Sequence, residues 1–99
     1  IEAAALPVLA GAEALAAANL PGGGRSNEAH FGGRVRVAGG LSRERVLLAF
    51  DPQTSGGLLI AVQPSHVERL RGLLTAAGAG AAVVGAVEAA VPGVDVRLI

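Results

Sequence analysis

The sequence has 99 residues, which is enough for one domain with a single hydrophobic core, and its formal net charge at pH 7 is zero. Its hydrophobic fraction of 52% excludes intrinsic disorder, while Gly and Pro break the apolar stretches too often for a membrane-spanning helix. The eight basic residues are all Arg and are not clustered, which argues against nucleic-acid binding, and the absence of Cys excludes disulfides and fits a cytoplasmic protein.

Two helical segments and one strand are predicted in the first part of the chain. Pro7 suits the first turn of a helix that runs to about Asn19. The glycine-rich run Pro21–Gly24 predicts a loop, followed by a short helical turn through Phe31. The alternating segment Arg34–Val37 predicts a short edge strand or an extended connector.

Two further helices carry capping signals. Ser42 is predicted to be the N-cap of a short helix that ends near Phe50. Ser65 and Glu68 have the spacing of a capping box, in which each side chain accepts a hydrogen bond from a backbone amide at the helix start. Gly78 is predicted to end this helix.

Three apolar segments predict strands in the second half of the chain. Leu58–Val62 is a continuous apolar run of strand length, predicted to be buried on both faces, and Ala81–Val87 is similar. The Pro92-Gly93 turn leads into a third predicted strand, Val94–Leu98. We expect the first two to pair in parallel across a right-handed crossover. The predicted fold is α+β, a single domain over residues 1–99 with a mixed β-sheet and helices on one face.

The polar segment DPQTSGG, between Phe50 and the first of these strands, carries the candidate site. Pro52 favours a turn, and the two glycines allow a positive φ or the close approach of another backbone. Successive amides in such a turn are able to form an anion-binding nest, although most polar glycine turns only shape the chain. The residues of this candidate substrate- or phosphate-proximal loop are Asp51, Gln53, Thr54, Ser55, Gly56 and Gly57.

Other polar residues give weaker indications. Asp51 has no second acidic residue near it in sequence, which makes a poor Mg²⁺ site and favours a role in the turn. His30 and His66 have no catalytic partner at a meaningful spacing. Arg25 either contacts an anionic group or is a solvated loop residue. We therefore assign no catalytic residue and no metal ligand to the chain.

The string DPQTSGGLLIAV closely resembles a segment near the C-terminus of the selenophosphate synthetases, or selenide, water dikinases. The context agrees with this resemblance, because LPVL precedes an Ala- and Glu-rich helix, PGGGRSN follows it, and Val83–Val87 has the pattern Val-Val-Gly-x-Val. The resemblance covers nearly the whole chain. It implies the C-terminal α+β domain of an enzyme in the aminoimidazole ribonucleotide synthetase superfamily.

The resemblance further implies that the full-length enzyme makes selenophosphate from selenide and ATP, with AMP and phosphate as products and Mg²⁺ required. Its partner would be the N-terminal ATP-binding domain of the same chain, in a homodimer. The family's N-terminal glycine-rich loop, Cys or selenocysteine, Lys and metal-binding aspartates are not among these 99 residues, nor is the segment that opens the C-terminal domain. We therefore expect this piece alone to be inactive and to bind no cofactor.

Two alternatives remain open at this point. The chain is alternatively a stand-alone interaction or binding module, which its short strands and possible exposed sheet edge would suit. The second alternative is a domain of a sister ATP-dependent enzyme of the same superfamily, such as the hydrogenase-maturation proteins or thiamine-phosphate kinases. The start at Ile1, without Met and in an apolar run, suggests a piece of a longer protein.

Overall fold

The computed structural model describes all 99 residues, Ile1–Ile99, and contains four α-helices and one two-stranded sheet. The helices are α1 (Ala12–Asn19), α2 (Gly22–Phe31), α3 (Arg43–Ala49) and α4 (Val67–Ala76). The strands are β1 (Val35–Val37) and β2 (Val96–Leu98), and the short 3-10 turns are Ala3–Ala5, Gly32–Arg34 and Pro64–His66. The predicted α+β class is confirmed. None of the helices combines the length and the apolar character that crossing a membrane requires.

The sheet joins the middle of the chain to its end. Strands β1 and β2 run parallel, with Val35 opposite Val96 and Val37 opposite Leu98. The strand predicted within Arg34–Val37 is therefore confirmed, and it pairs with a strand about sixty residues further along the chain. Side chains from this pair reach the hydrophobic core, where Leu98 is almost completely buried.

The turn before β2 is the one that the sequence predicts. Gly93 has a φ of 74°, and the amide of Val94 donates to the carbonyl of Val91 at 3.0 Å. Pro followed by Gly with a positive φ is the arrangement of a type II turn. Strand β2 begins only after this turn, so the predicted strand Val94–Leu98 is confirmed in its last three residues.

Two predicted strands are wrong. Neither Leu58–Val62 nor Ala81–Val87 forms a strand, and the two segments do not pair. No backbone group between residues 52 and 62 is hydrogen-bonded to another backbone group, while the second segment has one such bond, from the Glu2 amide to the Val84 carbonyl at 2.8 Å. The apolar pattern of each segment indicates that it is suited to a buried strand. Neither segment has a neighbouring strand within these 99 residues. The predicted mixed sheet is reduced to a single parallel pair.

Helix α1 begins later than predicted. It starts at Ala12 because Gly11 has a left-handed backbone, with a φ of 82°, which interrupts the helical path from Pro7. Helix α1 packs against α3, where Glu13 binds the Arg45 guanidinium at 2.6 Å and accepts a hydrogen bond from the Ser42 hydroxyl at 2.9 Å. These contacts hold the two helices together.

Helix α2 begins where a loop was predicted. Pro21 is its N-cap residue, and the three glycines that follow it form the first helical turn. Glycine costs up to about 1 kcal/mol per residue in a helix relative to Ala, so local propensity disfavours this start. Close packing offsets that cost, because Gly24 is buried and lies against Leu20 and the carbonyl of Phe50.

Two of the three helix-end signals predicted for α3 and α4 are confirmed. Ser42 is the N-cap of α3, as predicted, and its hydroxyl oxygen accepts from the Arg45 amide at 3.1 Å. Gly78 ends α4, as predicted, with a φ of 74° and the paired backbone hydrogen bonds of a Schellman motif. The predicted capping box of Ser65 and Glu68 is wrong, because the Glu68 carboxylate binds Arg71 instead and α4 starts from a 3-10 turn.

The core is small for a chain of this size. Only six of the 99 residues are buried, and the apolar ones are Ala3, Val46, Leu47, Phe50 and Leu98. The accessible surface is 7213 Å², whereas a folded monomer of 9.7 kDa exposes about 5,100 Å². The radius of gyration of 14.6 Å also exceeds the value of about 13 Å for a compact chain of 100 residues. About 2,000 Å² of surface is therefore exposed beyond the amount that a self-sufficient domain shows.

Candidate functional site

The candidate loop Asp51–Gly57 directly follows α3. It has no regular secondary structure, as the sequence predicts, and every residue in it is exposed except Pro52, which is half-buried. The amide of Asp51 donates to the carbonyl of Leu48 at 3.3 Å, which starts the loop as a continuation of the helix. No residue of the loop has a left-handed backbone, so the alternating geometry of an anion-binding nest is not formed.

The structure brings this loop against the start of α2. A Cβ atom added at Gly23 would lie 2.9 Å from Cγ of Pro52, so the Pro52 ring approaches the backbone of α2 more closely than an alanine allows. One turn further along α2, Nδ2 of Asn27 donates to the carbonyl of Phe50 at 3.1 Å. The segments PGGGRSN and DPQTSGG, separate in sequence, thus form one unit.

The hydroxyl groups of Thr54 and Ser55 make no hydrogen bond within the chain and are exposed. Gln53 folds back over Gly56, where an added Cβ would lie 3.2 Å from Oε1 of Gln53. The close neighbour of Gly56 is therefore a side chain, rather than a backbone as predicted. The loop leaves these two hydroxyl groups exposed to solvent.

The chain does not provide a metal site. No three His, Cys, Asp or Glu residues come close enough together to hold a metal ion. Asp51 is exposed and remains the only carboxylate of the loop. Mg²⁺ is bound by carboxylates together with substrate phosphates, and one isolated Asp does not fit that donor set.

The remaining candidate residues lie apart from the loop or lack partners. His30 is exposed near the end of α2 and packs edge-to-face on Phe31, with ring centroids 4.6 Å apart. His66 is exposed in the 3-10 turn before α4. Arg25 is exposed in the first turn of α2.

A cavity of about 350 Å³ lies between α2, the end of α3 and the sheet. Eight of its eleven lining residues are hydrophobic. Its polar side chains are already engaged, because Asn27 binds the Phe50 carbonyl and Arg34 pairs with Asp95 at 2.5 Å. None of the residues from 51 to 57 lines this cavity, so it is separate from the candidate loop.

An ion pair holds α2 against α3, which together carry the loop. Arg43 binds Glu28 through two contacts, one of them between Nη2 and Oε2 at 2.7 Å. Hydrogen bonding to Arg43, with a smaller contribution from the Arg43 charge, holds the pKa of Glu28 below its ordinary value of 4.5, against an opposing effect of desolvation. The same hydrogen bond raises the pKa of Arg43, so the guanidinium is charged throughout the accessible pH range.

The effect of Glu28→Gln on stability is expected to depend on pH. Because the pKa of Glu28 is lowered in the folded state, its contribution is fully present above the ordinary value of 4.5 and is lost as the pH falls through the lowered pKa. The variant should therefore unfold at a lower urea concentration than the parent at pH 7, and this difference should shrink as the pH falls below 4.5. Circular dichroism suits the measurement, since the chain has neither Trp nor Tyr. A pH-independent difference would contradict the expectation.

An accessible surface larger than that of a self-sufficient domain is typical of one part of a larger protein. The sequence matches curated proteins over its whole length. It is 45% identical over 100 residues to a selenide, water dikinase of Nitratidesulfovibrio vulgaris, which is 100% of this chain and 28% of the relative. It is 40% identical to the Myxococcus xanthus protein of that name over 92% of the chain, and 39% identical to the Pseudomonas straminea one over 97%.

These similarities confirm the resemblance found in the sequence, and the chain belongs to the selenide, water dikinase family. It spans about a quarter of the length of these relatives, which are 26–28% covered. No family model matches the sequence, and no solved structure matches it.

Proposed function

We propose that the chain is the C-terminal domain of an enzyme that makes selenophosphate from selenide and ATP, releasing AMP and phosphate. The observation that carries this proposal is the 45% identity to a selenide, water dikinase over the entire chain. The proposed enzyme is a cytoplasmic homodimer, on the basis of the family resemblance alone. The remainder of the same polypeptide, with its ATP-binding domain, is the partner of this domain.

In this proposal, Mg²⁺ and ATP are held by the part of the enzyme outside these 99 residues. The side chains present support this assignment of Mg²⁺ and ATP to the rest of the enzyme, because the chain brings no three metal-binding side chains together. Phosphoryl transfer depends on positioning and on charge stabilisation by metal ions and cationic groups. A segment without these groups should have no activity of its own.

Within the domain, we assign the substrate- or phosphate-proximal role to the loop Asp51–Gly57. Two observations support the assignment. The hydroxyls of Thr54 and Ser55 are exposed and unbonded, so they are available as donors to an anionic group. The loop also lies beside the first turn of α2, where glycines allow Pro52 to approach closely. The loop would orient a phosphate through hydrogen bonds, while the rest of the enzyme supplies the metal.

Phosphorus NMR on the full-length enzyme with ATP, Mg²⁺ and selenide under anaerobic conditions tests the proposed reaction. Selenophosphate, AMP and phosphate are the expected products. Formation of ADP, or the absence of a selenium-dependent product, would assign the protein to a sister enzyme of the superfamily instead.

The double substitution Thr54→Ala with Ser55→Ala is expected to lower kcat/KM for ATP about tenfold or more, since a hydrogen bond to a charged group contributes about 1.5–3 kcal/mol. Ser65→Ala with Thr75→Ala is the matched control, because it removes the same two hydroxyls from exposed positions outside the loop. The control should keep the parent's kinetics. Unchanged turnover and ATP affinity in the Thr54/Ser55 variant would remove the loop from the site.

A further inference from the structure

The carbonyl of Phe50 lies at the C-terminal end of α3, directly before the loop Asp51–Gly57, and a side chain from another helix binds it. Nδ2 of Asn27, on α2, donates to this carbonyl at 3.1 Å. The last carbonyls of a helix have no partner inside the helix, so an outside donor at this point fixes how the chain leaves α3. The other hydrogen bonds between a side chain and the backbone, at Asn19 and Ser42, span only three or four residues. The Asn27 contact is the one of this kind that joins distant segments.

The face of α2 that meets this carbonyl carries one small residue and one donor. Gly24 and Asn27 are three residues apart and therefore lie on the same side of the helix. A Cβ atom added at Gly24 would lie 3.6 Å from the Phe50 carbonyl oxygen, so this oxygen lies over both residues. Gly24 is buried and Asn27 is half-buried. Loss of the Asn27 amide would leave the carbonyl without its partner in a part-buried position.

Beyond this contact the loop has few restraints. The Asp51 amide donates to the Leu48 carbonyl, but no amide or carbonyl from residue 52 to residue 62 is hydrogen-bonded to another backbone group. The Pro52 ring packs on Gly23, and such a contact limits approach without fixing an orientation, whereas a hydrogen bond is directional. Thr54 is up to about 13 Å beyond Phe50 along the chain, so a rotation of about 10° at Phe50 moves Thr54 by up to about 2 Å.

We infer that Asn27 is a positioning residue for the proposed reaction. Through the Phe50 carbonyl, it fixes the direction in which the loop leaves α3 and therefore where the hydroxyls of Thr54 and Ser55 lie. The inference rests on the proposed role of this loop, and Asn27 itself touches no substrate. A misplacement of about 1 Å costs an enzyme up to about 100-fold in rate, so a displacement of about 2 Å is large enough to measure.

Amide NMR signals of Gly56 and Gly57 in the full-length enzyme, labelled with nitrogen-15 glycine, test whether Asn27 places the loop. Asn27→Ala removes the donor, and Asn27→Asp removes it while keeping the shape of the side chain. Each variant should shift both glycine signals by more than their linewidth. Asn19→Ala is the matched control and should leave them in place, because Nδ2 of Asn19 makes a similar bond, at 2.9 Å, within α1. Unshifted signals in either Asn27 variant would overturn the inference.

A double-mutant cycle tests whether this placement serves the reaction. Asn27→Ala should lower kcat/KM for ATP about tenfold, whereas Asn19→Ala should keep the parent's kinetics. Thr54→Ala with Ser55→Ala removes the groups that Asn27 positions, so adding Asn27→Ala to that variant should lower kcat/KM by less than about twofold further. A purely structural role would lower kcat/KM by the same factor in both backgrounds, and that result would overturn the inference.

The selenophosphate assay of the parent separates this inference from the proposed function. If the parent makes no selenophosphate, or if Thr54→Ala with Ser55→Ala leaves its kinetics unchanged, the proposed reaction or the role of the loop fails. Shifted glycine signals would then still support Asn27 as the residue that places the loop. If the parent makes selenophosphate and the Thr54/Ser55 variant is impaired while Asn27→Ala keeps the parent's kcat/KM, only the inference fails.

Discussion

Leu98→Ala is expected to lower the free energy of unfolding by about 2–5 kcal/mol, the range for a buried Leu that leaves a cavity. Leu98 is 1% exposed and packs against Ala3, Val46 and Phe50. It also belongs to β2, so the loss affects both the core and the sheet. With so few buried residues, the chain has no second cluster that compensates, and the expected loss is a large fraction of the roughly 5–15 kcal/mol typical of a domain.

Leu73→Ala is the matched control for this prediction. The substitution is chemically identical, but Leu73 lies on α4 and is 61% exposed, so the expected change is within about 0.5 kcal/mol. Urea unfolding followed by circular dichroism measures both variants. Equal destabilisation by the two substitutions would mean that the small cluster around Leu98 is not the structural core.

Sequence signals that act over a few residues were predictive. Ser42 caps α3, Gly78 ends α4 and Pro92-Gly93 forms its turn, because each signal depends on hydrogen bonds or backbone angles within one helical or β turn. The capping box of Ser65 and Glu68 is the exception among local signals. There, Arg71 lies one turn away on the same helix and binds the carboxylate.

Sequence signals that depend on residues far away in the chain were not predictive. Leu58–Val62 has the composition of a buried strand, but burial and pairing need a second strand that these residues do not supply. The glycines of α2 have the composition of a loop, but they form a helical turn in which Gly23 lies close to Pro52 and Gly24 close to the carbonyl of Phe50. Sequence alone gives no information about either partner, because both contacts join segments far apart in the chain.

The same distinction applies to the candidate site. The irregular, exposed loop Asp51–Gly57 could be predicted from its Pro, Gly and hydroxyl residues. Its contact with α2 could not be predicted. The three consecutive glycines, which allow a close neighbour, are the one sequence signal for this contact. The contact matters for function because it fixes where the loop begins.

Gly23→Ala is expected to displace the loop Asp51–Gly57 and to impair the full-length enzyme. The new Cβ would lie 2.9 Å from Cγ and 3.1 Å from Cβ of Pro52, and the rigid ring cannot rotate away without moving the backbone of the loop. Overpacking of this kind costs about 1–3 kcal/mol of stability. With the loop in the role proposed above, kcat/KM should fall about tenfold, since small misplacements of positioning groups are costly.

Gly22→Ala is the matched control, because an added Cβ at Gly22 meets nothing within 4 Å and the better helix propensity of Ala favours α2 by up to about 1 kcal/mol. The decisive comparison adds Pro52→Ala to Gly23→Ala. Removing the ring relieves the clash, so the double variant should be more stable than the sum of the two single effects predicts, with a coupling of about 0.5–3 kcal/mol. Additive effects would show that Gly23 and Pro52 are not in contact. Coupled stability with unchanged kcat/KM in Gly23→Ala would instead mean that the contact shapes the chain without positioning a substrate.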